Sequence, residues 1–265
     1  MTGRCVLNGS VVPVSEAAIP VTDEGLLRGD GVFEVVRLYA GRPFALDHHL
    51  RRMARSAETL RLEADLQGVH GDALKACELA DGRDVLLRLV VTRGGRRIAL
   101  LEPMPAHGPT LRLAVERHQP TPLLRAAKSL SYAANMLAVR RAAERGYHDA
   151  LFVLPEPESR VLEVTRSSFF WVADGKILTP PLNDDEILDS ITRRLVMEEN
   201  EVTEAAVSLD DLRGAEETFS AGTSFEVLPV EEIEGVGSYP APGPVTSTVM
   251  DNVRARVERE LGADG

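Results

Sequence analysis

Apolar residues along this 265-residue chain recur at two spacings, one typical of strands and the other of helices. Short runs rich in valine, leucine and phenylalanine that end at glycine, proline or aspartate predict strands. The predicted strands cover residues 5–14, 32–39, 85–92, 111–115, 149–154, 202–206, 217–220 and 225–230, with a hairpin through Val172 and Ile177. Helical patterns separate them and no internal repeat is present, so the sequence predicts a mixed fold of helices and sheets.

Apolar residues three and four positions apart mark the helices. Leu50 and Met53 share one face of a predicted helix, and Gly146 ends another because glycine adopts the left-handed cap conformation without strain. The predicted helices cover residues 47–60, 72–79, 131–145, 190–200 and 245–261.

A linker divides the chain near its middle. Residues 118–122 read His-Gln-Pro-Thr-Pro, and two prolines separated by one residue suit neither a helix interior nor a central strand. We therefore predict an N-terminal domain over residues 1–117, a linker over 118–123 and a C-terminal domain over 124–265.

Composition and charge narrow the class of protein. The chain is 44% apolar and 27% charged, as in ordinary globular proteins. It has neither an apolar run of membrane-spanning length nor a basic N-terminal segment followed by an apolar core, so we expect a cytoplasmic protein without a membrane partner. A net charge of −11 argues against nucleic acid as a partner. Cys5, Cys77 and the six histidines show no metal-binding spacing, so no metal is expected.

Lysine is scarce, since 27 of the 30 basic residues are arginine and only three are lysine. Lys75 and Lys176 are interpreted as solvated, whereas Lys128 lies among alanine, leucine and serine just before a predicted helix. A desolvated amine can act as a nucleophile or form a Schiff base, which a guanidinium cannot. Position alone also allows an ordinary lysine that extends from a helix N-terminus into water.

Four blocks of the sequence carry motifs that occur in the same order in one enzyme family. The blocks comprise residues 29–34 with 44–57, Lys128 with 142–150, residues 162–170 with 179–182 and 187–193, and residues 217–230. Together they resemble the fold type IV pyridoxal-phosphate enzymes, also called class IV aminotransferases, over nearly the whole chain. One block alone would be weak evidence, but four in order argue against accidental similarity.

The resemblance implies an α+β protein of two domains. In this family the cofactor, pyridoxal 5′-phosphate, lies in the cleft between a smaller N-terminal α/β domain and a larger C-terminal α/β domain that resembles a β-barrel. The resemblance also implies a homodimer with active sites near the interface, because the family's loop at the position of Arg28 reaches the active site of the neighbouring subunit.

Two residues carry the implied chemistry. Lys128 matches the lysine that forms a Schiff base with the cofactor and then moves a proton between the substrate Cα and the cofactor. Glu163 matches the glutamate that keeps the pyridine nitrogen protonated, which makes the ring an electron acceptor. The residues beside Glu163 are apolar, so without the resemblance it would be interpreted as a strand residue that faces solvent.

The cofactor phosphate requires cationic and backbone donors. The positions that match the family's phosphate site are Arg52, Ile191, Thr192 and Thr223. Helix capping alone would also favour the hydroxyl residues Ser190 and Thr192. Two positions depart from the family, because Ser190 replaces a glycine and residues 167–168 replace a common asparagine with serine.

Substrate choice rests on fewer residues. Residues 29–41 most resemble the D-amino-acid aminotransferases, followed by the aminodeoxychorismate lyases. The better-known D-amino-acid enzymes have a tyrosine where this chain has Phe33, and a histidine that residues 93–100 lack. The candidate residues for the substrate carboxylate are Arg28, Arg88 and Ser224. Arg88 lies in an apolar strand, which leaves two interpretations open: an inward arginine that binds an anion, or one that faces water.

The resemblance therefore predicts a transaminase that moves an amino group between a D-amino acid, D-alanine or D-glutamate, and a 2-oxo acid, 2-oxoglutarate or pyruvate. The first alternative is 4-amino-4-deoxychorismate lyase, which uses the same cofactor and lysine to form 4-aminobenzoate and pyruvate. A branched-chain L-amino-acid or (R)-amine transaminase is the second, disfavoured if Arg28 and Arg88 bind an anion. A cofactor-free binding protein would leave Lys128, Glu163 and Arg52 together without a role.

Overall fold

A computed structural model describes residues 3–124, 126–182 and 186–263 of the protein. The chain divides into two compact units. The first unit contains residues 1–105 and 126–132, and the second contains residues 106–125 and 133–265. Each unit combines helices with one sheet, as the alternating sequence patterns predict.

The described part of the first unit contains a six-stranded antiparallel sheet and three α-helices. The strands are β1 (Arg4–Leu7), β2 (Ser10–Pro13), β3 (Gly31–Tyr39), β4 (Arg42–Pro43), β5 (Val85–Thr92) and β6 (Arg97–Pro103), and the helices are α1 (Glu24–Arg28), α2 (Leu46–Thr59) and α3 (Leu66–Ala80). The strand order is β2-β1-β6-β5-β3-β4.

Several features of this sheet differ from the sequence prediction, and the short strand β4 was not predicted. Residues 5–14 form a hairpin rather than one strand, because Asn8 and Gly9 turn the chain at positive φ angles of 47° and 85°. The strand β6 was not predicted, and it pairs with β5 across the turn at Gly94 and Gly95.

The two faces of the sheet have different surroundings, because successive side chains of a strand alternate between faces. Val32 and Leu87 are fully buried in a core that includes side chains of α2 and α3. The opposite face carries Phe33, Val35 and Arg88. Arg88 is half-buried there, so this face presents a charged group beside apolar side chains.

Residues 126–132 belong to the first unit because they pair with β3. Ser129 forms an antiparallel bridge with Val32. The amide of Phe33 donates to the Lys128 carbonyl at 3.0 Å, and the amide of Leu130 donates to the Gly31 carbonyl at 2.8 Å. The segment that contains Lys128 is therefore held along β3 as an added short strand.

The second unit contains a nine-stranded mixed sheet and three α-helices in its described residues. The strands are β7 (Leu111–Arg117), β8 (Asp149–Val153), β9 (Val161–Val164), β10 (Ser168–Ala173), β11 (Lys176–Thr179), β12 (Val202–Glu204), β13 (Glu217–Gly222), β14 (Glu226–Ile233) and β15 (Gly237–Ser238), and the helices are α4 (Ala133–Glu144), α5 (Ile191–Glu199) and α6 (Pro244–Ala263). The order is β12-β11-β10-β13-β14-β7-β8-β9, with β15 paired to β14. Its core is built from apolar strand residues such as Leu151, Phe169 and Val230.

The division into units differs from the predicted domains. β7 lies in the second unit because it pairs in parallel with β8 and β14, although its residues precede the predicted linker. Residues 126–132 lie in the first unit because of their bonds to β3. The prolines of the predicted linker do lie in irregular chain, at a short 3₁₀ turn over Pro122–Leu124.

Within the described residues, no helix is long and apolar enough to cross a membrane. The same residues contain no cluster of three or more histidine, cysteine, aspartate or glutamate side chains suited to a metal ion. Cys5 and Cys77 are both free cysteines.

Candidate active site

The backbone of Lys128 is fixed by β3 and α2. Its amide donates to the Ser56 hydroxyl of α2 at 3.0 Å, and its carbonyl accepts the Phe33 amide. The sequence placed Lys128 just before a helix, whereas α4 begins five residues later, at Ala133. Lys128 therefore does not extend from a helix N-terminus, as the alternative interpretation of its position required.

The side chain of Lys128 lies against two aromatic rings. Its Nζ is 4.6 Å from the ring centroid of Phe33 and 5.6 Å from that of Tyr132. The two rings contact each other edge to face, with centroids 5.2 Å apart. Aromatic faces attract a cation and exclude water, so this half-buried amine has the partly desolvated setting that its predicted role requires.

Arg52 is held by two buried residues, Glu34 and His49, which lie in the first sequence block but were not predicted to be site residues. The Arg52 guanidinium donates from Nε and Nη2 to the two carboxylate oxygens of Glu34, at 2.7 Å each. His49 Nδ1 lies 2.8 Å from the same carboxylate. All three residues are buried, so Arg52 has a fixed orientation in the folded protein.

A sequence signal for this group did exist. Strand alternation places Glu34 on the same face as Val32 and Val36, where an unpaired carboxylate would be costly. His49 and Arg52 lie three positions apart and so share one face of α2. A buried carboxylate opposite a histidine and an arginine at this spacing predicts the contact that forms.

The protonation states of this group follow from burial and charge. Burial opposes ionisation of Glu34, but the Arg52 charge and the hydrogen bonds from Arg52 and His49 outweigh it, so the pKa of Glu34 is lowered. Burial lowers the pKa of His49, and together with the Arg52 and Lys128 charges it outweighs the raising effect of the Glu34 carboxylate. The group therefore combines a cation, an anion and a neutral imidazole at neutral pH.

Arg88 has a carboxylate partner that the two interpretations left open by the sequence did not include. Its Nε and Nη2 donate to the carboxylate of Glu102 on β6, at 2.7 and 2.9 Å. Its guanidinium carbon also lies 5.4 Å from the ring centroid of Phe33. The charge that an apolar strand seemed to leave unpaired is therefore balanced by a neighbouring strand.

Arg28 lies on the surface of the first unit. It is the last residue of α1, forms an ion pair with Glu24 one turn earlier, and has a side chain that is 67% exposed. The start of the same helix is anchored by buried Asp23, which accepts the Gly25 amide at 2.8 Å and the Thr92 hydroxyl at 2.7 Å. Burial alone would raise the pKa of Asp23, but these hydrogen bonds lower it.

In the second unit, Glu163 lies close to the start of α5. Its two carboxylate oxygens are each 3.4 Å from the amide of Leu188, which precedes the helix. Glu163 is half-buried on β9 and does not simply face solvent. Ser190 caps α5, because its hydroxyl accepts the Arg193 amide at 3.3 Å. Thr192 is buried in the first helical turn.

The turn between β13 and β14 lies beside the serine pair that follows Glu163. A Cβ atom added to Gly222 would lie 2.9 Å from the Ser167 side chain, so only glycine permits this close approach. Thr223 and Ser224 form the half-buried turn that follows. Ser168 Oγ is buried and has no hydrogen-bond partner among the described residues.

The polar groups of each unit fit the chemistry of pyridoxal 5′-phosphate. The first unit offers a partly desolvated amine, Lys128, and an oriented guanidinium, Arg52. The second unit offers the Glu163 carboxylate, the amides at the start of α5 and the Ser168 hydroxyl, for which the described part of the chain provides no hydrogen-bond partner. An aldehyde, a ring nitrogen, a phenolic oxygen and a phosphate are complementary to these groups.

The fold and these groups define a class IV aminotransferase. The family model described as Amino-transferase class IV matches residues 31–233, and the chain belongs to this family. Class IV aminotransferases use pyridoxal 5′-phosphate and act on amino and oxo acids. The predicted family, the two-domain α+β fold and the cofactor are therefore confirmed.

Related proteins carry several substrate names. The chain is 34% identical to a Methanocaldococcus jannaschii protein named "Putative branched-chain-amino-acid aminotransferase", over 88% of each chain. It is 31% identical to D-alanine aminotransferase of Bacillus licheniformis, over 93% of this chain and 94% of the relative. It is 28% identical to aminodeoxychorismate lyase of Bacillus subtilis, over 92% of this chain and 91% of the relative.

Solved structures agree on the fold. The branched-chain aminotransferase of Thermoproteus uzoniensis, solved with norvaline, superposes with a TM-score of 0.85 at 27% identity, over 96% of this chain and 94% of that one. A fold IV transaminase of Curtobacterium pusillum gives a TM-score of 0.84 at 26% identity, over 97% of this chain and 99% of that one.

Proposed function

We propose that the protein transfers an amino group between a D-amino acid, D-alanine or D-glutamate, and a 2-oxo acid, pyruvate or 2-oxoglutarate. The observation that carries the proposal is the placement of two cationic groups on one ring. Lys128 Nζ and the Arg88 guanidinium both lie over Phe33, at 4.6 and 5.4 Å from its centroid. A substrate that reacts at the Lys128 amine therefore has a guanidinium near it for a carboxylate.

Each matched residue has a defined task in this proposal. Lys128 holds the cofactor and moves a proton at the substrate Cα through Nζ. Glu163 keeps the cofactor's ring nitrogen protonated, and the bound cofactor supplies the aldehyde and the electron-withdrawing ring. The residues proposed to hold the phosphate are Arg52, Ile191, Thr192 and Thr223. Glu34 and His49 orient Arg52 for this purpose.

The substrate carboxylate is assigned to Arg88, with Ser224 and Arg28 as further donors. Arg28 is proposed to act from the neighbouring subunit of a homodimer. Its 67% exposure and its place beside the exposed apolar residues Leu26 and Leu27 support this assignment, because a contiguous apolar surface suits a subunit interface.

A branched-chain L-amino-acid transaminase is the second candidate. The relative at 34% identity bears a name of that kind. Glu102 also balances the charge of Arg88, which weakens the objection that an apolar substrate side chain avoids an arginine. The lyase and an (R)-amine transaminase remain further alternatives because they use the same lysine and cofactor.

A half-reaction titration distinguishes these candidates. The holoenzyme is mixed separately with D-alanine, D-glutamate, L-leucine and (R)-1-phenylethylamine, and conversion of the cofactor to its amine form is followed by absorbance. We expect conversion by the two D-amino acids. Conversion by L-leucine or the amine alone would reject the D-amino-acid proposal, and no conversion by any of the four would direct the next assay to lyase activity.

A further inference from the structure

Glu102 lies outside the four sequence blocks that resemble the family, yet it contacts Arg88 at two points. The Arg88 Nε and Nη2 donate to separate oxygens of its carboxylate, at 2.7 and 2.9 Å. The side chains are 35% and 28% exposed, so both remain partly accessible to solvent and solutes. A two-point contact of this kind fixes the plane and the direction of a guanidinium.

The contact leaves part of the Arg88 guanidinium available. An arginine has five N–H donors, and Glu102 takes one donor edge, formed by Nε and Nη2. Nη1 takes no part in the contact with Glu102. The Phe33 ring lies 5.4 Å from the guanidinium carbon. The edge of Arg88 that includes Nη1 can therefore bind a second carboxylate.

Arg88 also lies within reach of a substrate at Lys128. Phe33 contacts both cationic groups, so the Arg88 guanidinium carbon and Lys128 Nζ are at most about 10 Å apart, the sum of their two distances from the ring centroid. A substrate whose amino group reacts beside Lys128 can place its α-carboxylate on Arg88 where the separation is well below this upper limit, because the two substrate groups are attached to one carbon.

We infer that Glu102 is a positioning residue that fixes Arg88 as the receptor for a substrate carboxylate. The inference rests on the proposed function, because it takes Arg88 as that receptor. Glu102 has two opposing effects on a bound carboxylate: it orients Arg88, and its own negative charge repels the substrate. Orientation dominates, since water and salt screen repulsion between partly exposed groups, whereas an unheld arginine must lose side-chain freedom when it binds.

Single-turnover half-reactions of the holoenzyme with D-alanine test this inference. The variants are Arg88→Leu, Glu102→Gln, Glu102→Asp and the double variant Arg88→Leu with Glu102→Gln. We expect Glu102→Gln to raise the half-saturating concentration about 3- to 10-fold while the maximal rate changes little, because binding and not chemistry is affected. In the Arg88→Leu background the same change should have no further effect, because Glu102 acts through Arg88.

Glu102→Asp separates position from charge. It keeps the negative charge but shortens the side chain by one methylene, so a positioning role predicts that it also raises the half-saturating concentration. Glu232→Gln is the matched control, because Glu232 pairs with Arg112 in the second unit with similar exposure, 32% and 38%, and a distance of 2.6 Å. This control should leave the half-reaction unchanged.

Three outcomes would overturn the inference. A lower half-saturating concentration in Glu102→Gln would make Glu102 a competitor of the substrate and not a positioning residue. An unchanged value in Glu102→Gln, together with a raised value in Arg88→Leu, would reject the role of Glu102 and leave the proposed function intact. A value unchanged by Arg88→Leu itself would instead remove the carboxylate role of Arg88 on which the proposed function depends.

Discussion

Glu34 is a carboxylate that is completely buried and stays charged because two neighbours on α2 stabilise its charge. Removal of either neighbour would leave a buried charge without compensation, which is among the most costly changes in a protein interior. The Glu34 carboxylate in turn holds Arg52 in place. The contact between Glu34, His49 and Arg52 therefore links the stability of the fold to the orientation of Arg52, the residue proposed to bind the phosphate.

At the residue scale, we predict that the free energy of unfolding decreases as the pH falls below about 6.5. The folded pKa of His49 lies below the ordinary value of 6.5, so in this range the unfolded chain binds a proton that the folded protein excludes. Glu34 acts in the same direction at lower pH. Its contribution is complete above its ordinary pKa of 4.5 and is lost as the pH falls toward its lowered folded value.

Urea unfolding of the holoenzyme at about pH 7.5 and pH 5.5 measures the histidine contribution. His49→Gln should reduce the stability difference between the two pH values by at most about 1.4 kcal/mol. Part of the stability difference should remain in His49→Gln, because burial also lowers the pKa of His118. The exposed-site variant His70→Gln serves as the control. An equal pH difference in wild type and His49→Gln would contradict the prediction.

At the element scale, the start of α5 depends on Ser190. The Ser190 hydroxyl accepts the Arg193 amide, one of the amides that the helix itself leaves unpaired. We predict that Ser190→Ala lowers the free energy of unfolding by about 1 kcal/mol, whereas Ser190→Gly lowers it by only a few tenths. The glycine variant also restores the residue usual in the family.

Chemical unfolding of both Ser190 variants, with cofactor affinity measured in parallel, checks this prediction. Ser190→Ala should also weaken the binding of pyridoxal 5′-phosphate if α5 holds its phosphate as proposed, because a frayed first turn no longer aligns its amides. Equal stability of the alanine and glycine variants would show that the serine hydroxyl does not stabilise the helix.

Local elements could be predicted from the sequence because their signals are local. α2 and β5 have regular apolar spacing, and both form within a residue of the predicted limits. The pairing of residues 128–130 with β3 could not be predicted, because it joins segments about one hundred residues apart through backbone groups. Their side chains carry no pattern that specifies this partner.

In the candidate site, too, local motifs could be predicted from the sequence, whereas long-range contacts could not. Lys128 and Glu163 were identified from motifs that lie along the chain. The contact between Arg88 and Glu102 requires the register of β5 and β6, and β6 was not predicted. The Glu34 carboxylate likewise requires the position of α2 above β3. Long-range register therefore limited the site prediction more than residue chemistry did.

At the scale of the whole molecule, the exposed apolar surface beside Arg28 motivates the proposed homodimer. Val21, Leu26 and Leu27 are 78%, 57% and 57% exposed. Large apolar side chains that cluster at the surface favour a protein partner, and a twofold dimer is the commonest assembly. In such a dimer an arginine on this segment can serve the active site of the other subunit.

We predict that two inactive or weakened variants restore activity when combined in one dimer. Lys128→Ala should abolish turnover, because the other two lysines, Lys75 and Lys176, are exposed, and Arg28→Leu should weaken substrate binding. In a heterodimer of the two, one site combines both defects and the other has both native residues. Differently tagged subunits, co-expressed and purified through both tags, should therefore show about half of the wild-type activity per dimer.

The matched control is a heterodimer of Lys128→Ala with Arg88→Leu. Arg88 and Lys128 contact the same Phe33 ring of one subunit, so one site then lacks the lysine and the other lacks the arginine. The activity of this control heterodimer should not be restored. The comparison therefore distinguishes an arginine that acts across the interface from one that acts within its own subunit. Absence of rescue in both heterodimers would mean that Arg28 does not serve the neighbouring active site.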